Sequence, residues 1–174
     1  MNPTELTRAF RRNEISPQEL ISRLQSLYDA QEPNVLAFIP EEHRFARLLK
    51  EAEELVARYP DPGQRPPLFG MTVGVKDIFQ VTGFTTQAGS RLPADQLQGD
   101  EAASVTQLKN AGALILGKTV TTEFAYFFPG PTRNPHNPEH TPGGSSSGSA
   151  AAIGAGLCSL TRSEERRVGK ECRL

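Results

Sequence analysis

A lysine and a run of serines are the residues of this chain best suited to acid–base chemistry. Lys76 ends the apolar run "MTVGV", and the segment 143–149 reads "GGSSSGS". Desolvation disfavours the charged form of a lysine amine, which can then act as a general base. A serine hydroxyl within reach of such a base can be activated for attack on a carbonyl carbon.

Lys76 has two competing interpretations. A lysine at the end of a strand is usually solvated, or paired with an acidic neighbour such as Asp77. Four apolar neighbours could instead bury the Lys76 ammonium group: Val73, Val75, Ile78 and Phe79. Burial would make Lys76 a candidate general base.

The segment 143–149 has three interpretations. A flexible linker would be flanked by polar sequence, but the segment continues into "AAAI", which is apolar and favours a helix. A phosphate-binding loop has the spacing of Gly143 and Gly148, but Ser149 and Ala150 occupy the positions where that loop needs lysine and a hydroxyl residue. The third interpretation is a glycine-built turn that presents serine hydroxyls and backbone N–H groups at a helix N-terminus, which suits acyl transfer.

Helices and strands alternate around these residues. The stretch Ser16 to Glu19 is a capping box with proline at the first helical position, and apolar residues follow at helical spacing. "HRFARLLKEAEELVARY" predicts a second helix, which the proline-rich "PDPGQRPP" ends.

A strand–helix–strand unit contains Lys76. "LFGMTVGVKDIF" predicts a buried strand, "DEAASVTQLKNAG" a helix capped by Asp100 and stopped by Gly112, and "ALILGK" a second strand. This order is the parallel crossover of an α/β sheet, whose functional sites lie beyond the carboxyl ends of the strands. Lys76 and Lys118 both lie at such ends.

The composition indicates one globular domain and argues against several function classes. The 174 residues are 37% hydrophobic and 22% charged, with a formal net charge of -1, which gives no reason to expect a nucleic-acid or membrane surface. Cys158 and Cys172 are too few for a disulfide framework and lack the neighbours of a metal site. The N-terminal sequence is unlike a signal peptide, and the longest apolar stretch is too short to span a bilayer. We therefore expect a cytoplasmic protein with a small-molecule partner.

In order and spacing, "GVKDIF", "GKTVTTEFAY" and "NPHNPEHTPGGSSSGSAAAIGAG" resemble the amidase signature family. The resemblance spans residues 1 to about 160, and its most specific element is the Gly-Gly-Ser-Ser-(Gly or Ser)-Gly core at 143–148. It implies an α/β fold: the N-terminal part of the amidase signature fold, truncated, with a mixed sheet flanked by helices. It implies neither a metal nor a cofactor.

The resemblance also implies a Ser-Ser-Lys triad, in which Lys76 is the lysine and Ser145 the bridging serine. Neutral Lys76 would take a proton through Ser145 from a second serine, which attacks an amide carbonyl and forms an acyl-enzyme. The family places a cis peptide bond before the bridging serine, here between Gly144 and Ser145. Gly143, Gly144 and Gly148 are then expected to shape the turn.

Other residues of these motifs receive lesser roles. The resemblance assigns Phe124 and Ala125 to the wall of an acyl pocket. Ser146, Ser147 and Ser149 are expected to be structural hydrogen-bonding or capping residues. His136 and His140 lie in a loop rich in proline and asparagine and are interpreted as structural, because the family needs no histidine.

The C-terminal residues depart from the family's pattern. Family members carry the nucleophilic serine and the oxyanion hole in a Gly-Gly-Ser segment roughly two dozen residues after the bridging serine. At that point this chain reads "RSEERRVGKECRL", of which Arg162 to Cys172 resembles a translated sequencing adapter. A solvated, charged tail is the alternative interpretation. We expect an incomplete amidase domain over residues 1–161, an artefactual or disordered tail over 162–174, and a chain that is inactive by itself.

The expected function of the parent protein is an amidohydrolase that cleaves a small-molecule carboxylic amide to an acid plus an amine or ammonia. One alternative is the A subunit of a glutamine-dependent tRNA amidotransferase. A phosphate-binding module is the alternative of another class. No direct nucleic-acid or membrane partner is expected, and a homo-oligomer is left open.

Overall fold

Helices flank a small parallel sheet in the computed structural model, which describes residues 2–163. The sheet has the order β2-β1-β3, where β1 is Thr72–Lys76, β2 is Leu114–Thr119 and β3 is Leu160–Arg162. β1 pairs in parallel with both neighbours, and an isolated antiparallel bridge joins Phe38 to Thr119 at the end of β2. The predicted α/β class and the parallel crossover from β1 to β2 are confirmed.

Five α-helices lie within residues 2–163: α1 (Pro3–Arg11), α2 (Pro17–Val35), α3 (Arg44–Arg58), α4 (Ala103–Asn110) and α5 (Ser147–Gly154). α2 begins at the predicted capping box, because the Glu19 N–H donates to Ser16 Oγ and the Glu19 carboxylate accepts the Ser16 N–H at 2.7 Å. α1 has no counterpart among the predicted elements. The signal for it is a second capping box, formed by Asn2 and Glu5.

The predicted N-cap of α4 is wrong. Ala102 holds that position instead of Asp100. The acidic residue that supports this helix is Glu101, which accepts the Thr82 N–H at 2.9 Å and forms an ion pair with Lys109 in the last turn. The prediction that Gly112 stops this helix is correct, since α4 ends at Asn110 and Gly112 follows with a φ of +89°.

The two faces of β1 contact different parts of the core. Val73 and Val75 belong to an apolar cluster that includes Val105 of α4 and Ile115 of β2. Consecutive side chains of a strand point to opposite faces, so Lys76 points away from that cluster. The expectation that Val73 and Val75 bury the lysine amine is therefore wrong, and burial on its face comes from the segment that leads into α5.

A larger apolar cluster joins the remaining helices to the other face of the sheet. Its members include Leu6 of α1, Ile21 of α2, Leu48 of α3, Leu116 of β2 and Ala152 of α5.

Within residues 2–163, no helix combines the length and the apolar character needed to cross a membrane. The predicted tail lies largely outside the described residues, so this boundary stays a prediction; Arg162 itself is the last residue of β3.

Candidate active site

Lys76 lies at the carboxyl end of β1, and its side chain is fully buried. Its Nζ donates to Ser145 Oγ at 2.7 Å and to Ser146 Oγ at 2.9 Å. The structure thus brings together the lysine and the serine that the sequence singled out. In its neutral form, the same amine could accept the proton of either hydroxyl.

The turn before α5 fixes the position of Ser145. Gly143 has a φ of +85°, and the peptide bond from Gly144 to Ser145 is cis, as the family resemblance implies. The Ser145 carbonyl accepts the Thr122 N–H at 2.9 Å and the Thr121 hydroxyl at 3.2 Å. A Cβ atom on Gly144 would lie 2.7 Å from Thr122 Cγ2, so this turn packs closely against the segment after β2.

Gly148 lies inside α5 rather than in the turn. A Cβ atom there would lie 2.2 Å from the Ala37 carbonyl oxygen and 2.4 Å from the Val120 nitrogen. The absence of a side chain therefore lets the first turn of α5 approach the end of β2. The Gly148 N–H donates to the Val120 carbonyl and the Gly143 N–H to Thr141 Oγ1, so neither amide points freely toward a phosphate.

Three further serines of the segment have different environments. Ser147 Oγ donates to the Val120 carbonyl at 3.4 Å, and Ser149 Oγ lies 2.7 Å from Thr119 Oγ1, which fits the expected structural roles. Ser146 is the exception. Its hydroxyl contacts the Lys76 amine and lies 2.6 Å from Ser163 Oγ. No sequence signal separates Ser146 from its neighbours, because that distinction depends on the path of the turn.

An open cavity of about 510 Å³ adjoins Ser145. Nine residues line it: Thr122, Ala125, Tyr126, Phe127, Pro129, Thr141, Gly143, Gly144 and Ser145. Ala125, one of the two predicted pocket residues, is among them. Phe124 is not, and its side chain is 52% exposed. Of the serines in the segment 143–149, Ser145 is the one that lines this cavity.

A second buried lysine lies one strand away from Lys76. Lys118 Nζ lies 2.7 Å from Asp77 Oδ1 and donates to Thr86 Oγ1 at 2.7 Å. Burial lowers the pKa of Lys118, although the adjacent Asp77 carboxylate opposes this shift. Sequence reasoning placed Lys118 at a strand end but assigned it no role. Its position depends on strand register, which the structure supplies: Lys118 pairs with Val75, one residue before Lys76.

The remaining candidates have no part in this arrangement of side chains. His136 and His140 lie in a loop in which the Asn134 N–H donates to the His140 carbonyl. Cys158 is buried, and burial raises the pKa of its thiol to about 12, so the thiol stays protonated near neutral pH. Among residues 2–163, no three His, Cys, Asp or Glu side chains are grouped so as to hold a metal ion.

Known proteins are similar to this chain in sequence and in fold. The chain is 40% identical over 164 residues to the A subunit of the glutamyl-tRNA(Gln) amidotransferase of Thermus thermophilus, an alignment that covers 90% of this chain and 32% of that protein. A peptide amidase in complex with the competitive inhibitor chymostatin superposes with a TM-score of 0.81 at 31% identity, over 92% of this chain and 35% of its own. A vestigial complex related to the origins of an s-triazine catabolic enzyme superposes with a TM-score of 0.81 at 34% identity, over 91% and 36%.

These alignments also define how much of a family member is present. The chain spans about a third of the length of the curated relatives it matches. The sequence pattern of the amidase family matches residues 19–162, which include the lysine at the end of β1 and the whole turn before α5. The chain therefore belongs to the amidase family.

Proposed function

We propose that the whole protein hydrolyses a small-molecule carboxylic amide to an acid plus an amine or ammonia, through an acyl-enzyme. The observation on which this rests is the fully buried Lys76 amine, 2.7 Å from the Ser145 hydroxyl at the edge of an open cavity. Membership of the amidase family and the likeness to a peptide amidase support the reaction class.

Lys76 is the general base of the proposed reaction, and Ser145 is the proton carrier. A nucleophilic serine transfers its proton to Ser145 Oγ while Ser145 transfers its own proton to Lys76 Nζ, and the new C–O bond forms at the amide carbonyl. When the C–N bond breaks, the proton returns along the same path to the leaving nitrogen. Water then repeats the attack and releases the acid. The nucleophile and the oxyanion N–H donors are assigned to a part of the whole protein beyond the described residues.

The proposed substrate site is the cavity beside Ser145. Ala125, Tyr126 and Phe127 give one side of it an apolar surface that can hold the carbon skeleton of an amide. Ala125 therefore keeps its predicted role in this proposal. Phe124 is not assigned to the substrate, because it is not among the residues that line the cavity.

A second candidate function is the A subunit of a glutamine-dependent tRNA amidotransferase. The observation that favours it is the 40% identity to the corresponding chain of a glutamyl-tRNA(Gln) amidotransferase. In this case the same Lys76–Ser145 relay would release ammonia from glutamine for a partner protein. Both candidates use the same bond cleavage, so they differ in substrate and in dependence on a partner.

Ammonia and acid release by the protein from the complete reading frame would test the proposal. A panel of acyl amides and glutamine should be assayed with the purified protein alone and with any copurifying partner. Hydrolysis of simple amides without a partner supports the hydrolase, whereas glutamine cleavage that requires a partner supports the amidotransferase. The Lys76→Met variant is the control for contaminating activity. Absence of both activities from a folded protein would contradict the proposal; the cytoplasmic location and the oligomeric state stay predictions.

A further inference from the structure

A buried ion pair lies directly beside the proposed catalytic lysine. Asp77, which follows Lys76 in the chain, is 1% exposed, and Lys118 is 2% exposed. The two charged groups are 2.7 Å apart. Removing two charges from water costs free energy, which is offset only when the pair is close and its other polar atoms are also hydrogen bonded. Nothing in the proposed proton relay uses this pair, so its presence calls for another role.

The ion pair binds one loop, residues 85–89, through both of its members. Asp77 accepts the Gln87 N–H at its carboxylate, at 3.2 Å, and the Ala88 N–H at its carbonyl, at 3.0 Å. Lys118 donates to Thr86 Oγ1 at 2.7 Å and lies 3.4 Å from the Thr85 carbonyl. Apolar side chains of the same volume could fill this space, but they could not bond these polar groups.

The loop in turn binds the segment that forms the cavity wall. The Phe124 N–H donates to the Ala88 carbonyl at 2.8 Å. At the adjacent Gly89, whose φ is +67°, a Cβ atom would lie 2.7 Å from the Thr121 carbonyl oxygen, so the two backbones are in close contact. Residues 122–127 of that segment include four lining residues of the cavity, and the Thr122 N–H donates to the Ser145 carbonyl.

We propose that the Asp77–Lys118 ion pair is a positioning element that sets the wall of the substrate cavity through the 85–89 loop. The pair fixes the loop, the Ala88 carbonyl fixes the Phe124 amide, and the wall that contains Ala125 takes its position from that bond. The consequence for substrate selection rests on the proposed amidase function, whereas the positioning itself does not. Loss of the ion pair or of its bonds to the loop should make the cavity wall more mobile and weaken substrate binding, without removing the Lys76–Ser145 relay.

Thr86 gives the most direct test, because its replacement leaves both charges in place. Thr86→Val removes the hydroxyl that Lys118 bonds, and Thr86→Ser retains it, so these two variants of the protein from the complete reading frame form a matched pair. Lys118→Met removes the ion pair itself. Lys109→Met is the control, since it breaks an ion pair between α4 and Glu101, a residue that bonds Thr82 rather than the 85–89 loop.

Hydrogen exchange and steady-state kinetics are the two readouts. For Thr86→Val we expect amide exchange about tenfold faster in both residues 85–89 and residues 121–126, the factor expected when one hydrogen bond is lost. We also expect KM for amides with bulky acyl groups to rise about fivefold, with kcat within about twofold of the parent. A displaced wall would weaken binding of the substrate and of the transition state equally, which raises KM and leaves kcat unchanged. Thr86→Ser and Lys109→Met should match the parent in both regions.

The outcomes separate this inference from the proposed function. Faster exchange confined to residues 85–89 would overturn the positioning role. Unchanged KM in an active Thr86→Val enzyme would overturn its consequence for substrate selection. A parent protein without amidase activity whose Thr86→Val variant still exchanges faster in both regions would refute the proposed function and support the positioning. If Lys118→Met does not fold, the Thr86 pair decides the question alone.

Discussion

The amine of Lys76 and the hydroxyl of Ser145 lie 2.7 Å apart although the two residues are 69 positions apart in the sequence. The first is placed by the carboxyl end of a buried parallel strand, and the second by the turn before α5, through two hydrogen bonds to its carbonyl. Both side chains are thus held by backbone structure, which is what a proton relay with fixed geometry requires.

Replacing the lysine should greatly reduce catalysis while preserving the fold. Lys76→Met retains a buried chain of similar volume but removes the base, so kcat should fall by about 10² to 10⁴-fold, the usual contribution of general acid–base catalysis. Steady-state hydrolysis and a thermal melt of the protein from the complete reading frame provide the measurement. Lys109→Met, which breaks a partly exposed ion pair between α4 and Glu101, is the matched control and should retain activity. A Lys76→Met enzyme within tenfold of the parent would remove Lys76 from the mechanism.

Two serines of the same segment should respond in opposite ways. Ser145→Ala removes the proton carrier, so kcat should fall by about 10²-fold or more with little change in Tm. Ser149→Ala removes a buried hydroxyl that bonds Thr119, so it should lower the free energy of unfolding by about 1 kcal/mol and leave kcat nearly unchanged. The reverse pattern in kinetics and melting would show that the proton carrier is misassigned.

The second hydroxyl at the lysine amine should matter less. Ser146 Oγ is 2.9 Å from Lys76 Nζ, and Ser146→Ala would leave the shorter bond to Ser145 in place. We expect a fall in kcat of less than about tenfold, because the loss of one neutral hydrogen bond costs about 1 kcal/mol. Measured kcat for the two alanine variants side by side tests the order. A loss equal to that of Ser145→Ala would make Ser146 a member of the relay.

The sequence predicted most of what local chemistry determines. The capping box at Ser16 begins α2, and the apolar runs give β1 and β2 with the parallel pairing expected of a crossover. The predicted cap Asp100 was wrong because α4 begins after Ala102, whose N–H donates to the Gln80 carbonyl, a contact that depends on how the loop before α4 folds back.

The site was predictable in its residues but not in its surroundings. The motifs identified Lys76 and Ser145, yet only three-dimensional structure brings Ser146 to the same amine and Lys118 to Asp77. These contacts join segments that are distant in sequence. Serine and lysine residues also follow no periodic pattern from which such contacts could be predicted. Gly148 is a similar case. Its spacing in the sequence suggested a turn residue, whereas in the structure glycine is needed because α5 packs closely against the backbone of Ala37 and Val120.

The packing at Gly148 leads to a stability prediction. In Gly148→Ala the added methyl would overlap the Ala37 carbonyl and the Val120 amide, both of which are backbone groups that cannot rotate away. The free energy of unfolding should fall by about 1 to 3 kcal/mol or more. Gly99→Ala is the matched control, because a Cβ atom there would lie 3.6 Å from the Gln80 side chain, an ordinary contact. Urea denaturation of both variants gives the comparison, and equal midpoints would contradict the tight approach of α5.

Glu32 should make stability depend on pH in an unusual direction. Its side chain is buried, and its Oε1 accepts the Phe38 N–H at 2.7 Å, while Oε2 has no hydrogen-bond partner among the described residues. Burial is the dominant effect and raises the pKa of Glu32 above its ordinary value of 4.5, although the bonds from Phe38 and Ala37 and the charge of Arg44 oppose it. The folded state therefore binds this proton more tightly than the unfolded state.

As pH rises from about 4.5 through the raised folded pKa, the unfolded state loses its proton first, so the Glu32 contribution to stability falls and then levels off. The readout is the free energy of unfolding of the parent minus that of Glu32→Gln, from urea denaturation between about pH 4 and pH 8. This difference should decrease with rising pH. The matched control is Glu19→Gln, because the backbone N–H of Ser16 lowers the pKa of Glu19, and its difference should increase with rising pH instead. If the Glu32 difference were constant or rose with pH, burial would not raise the pKa of this carboxyl.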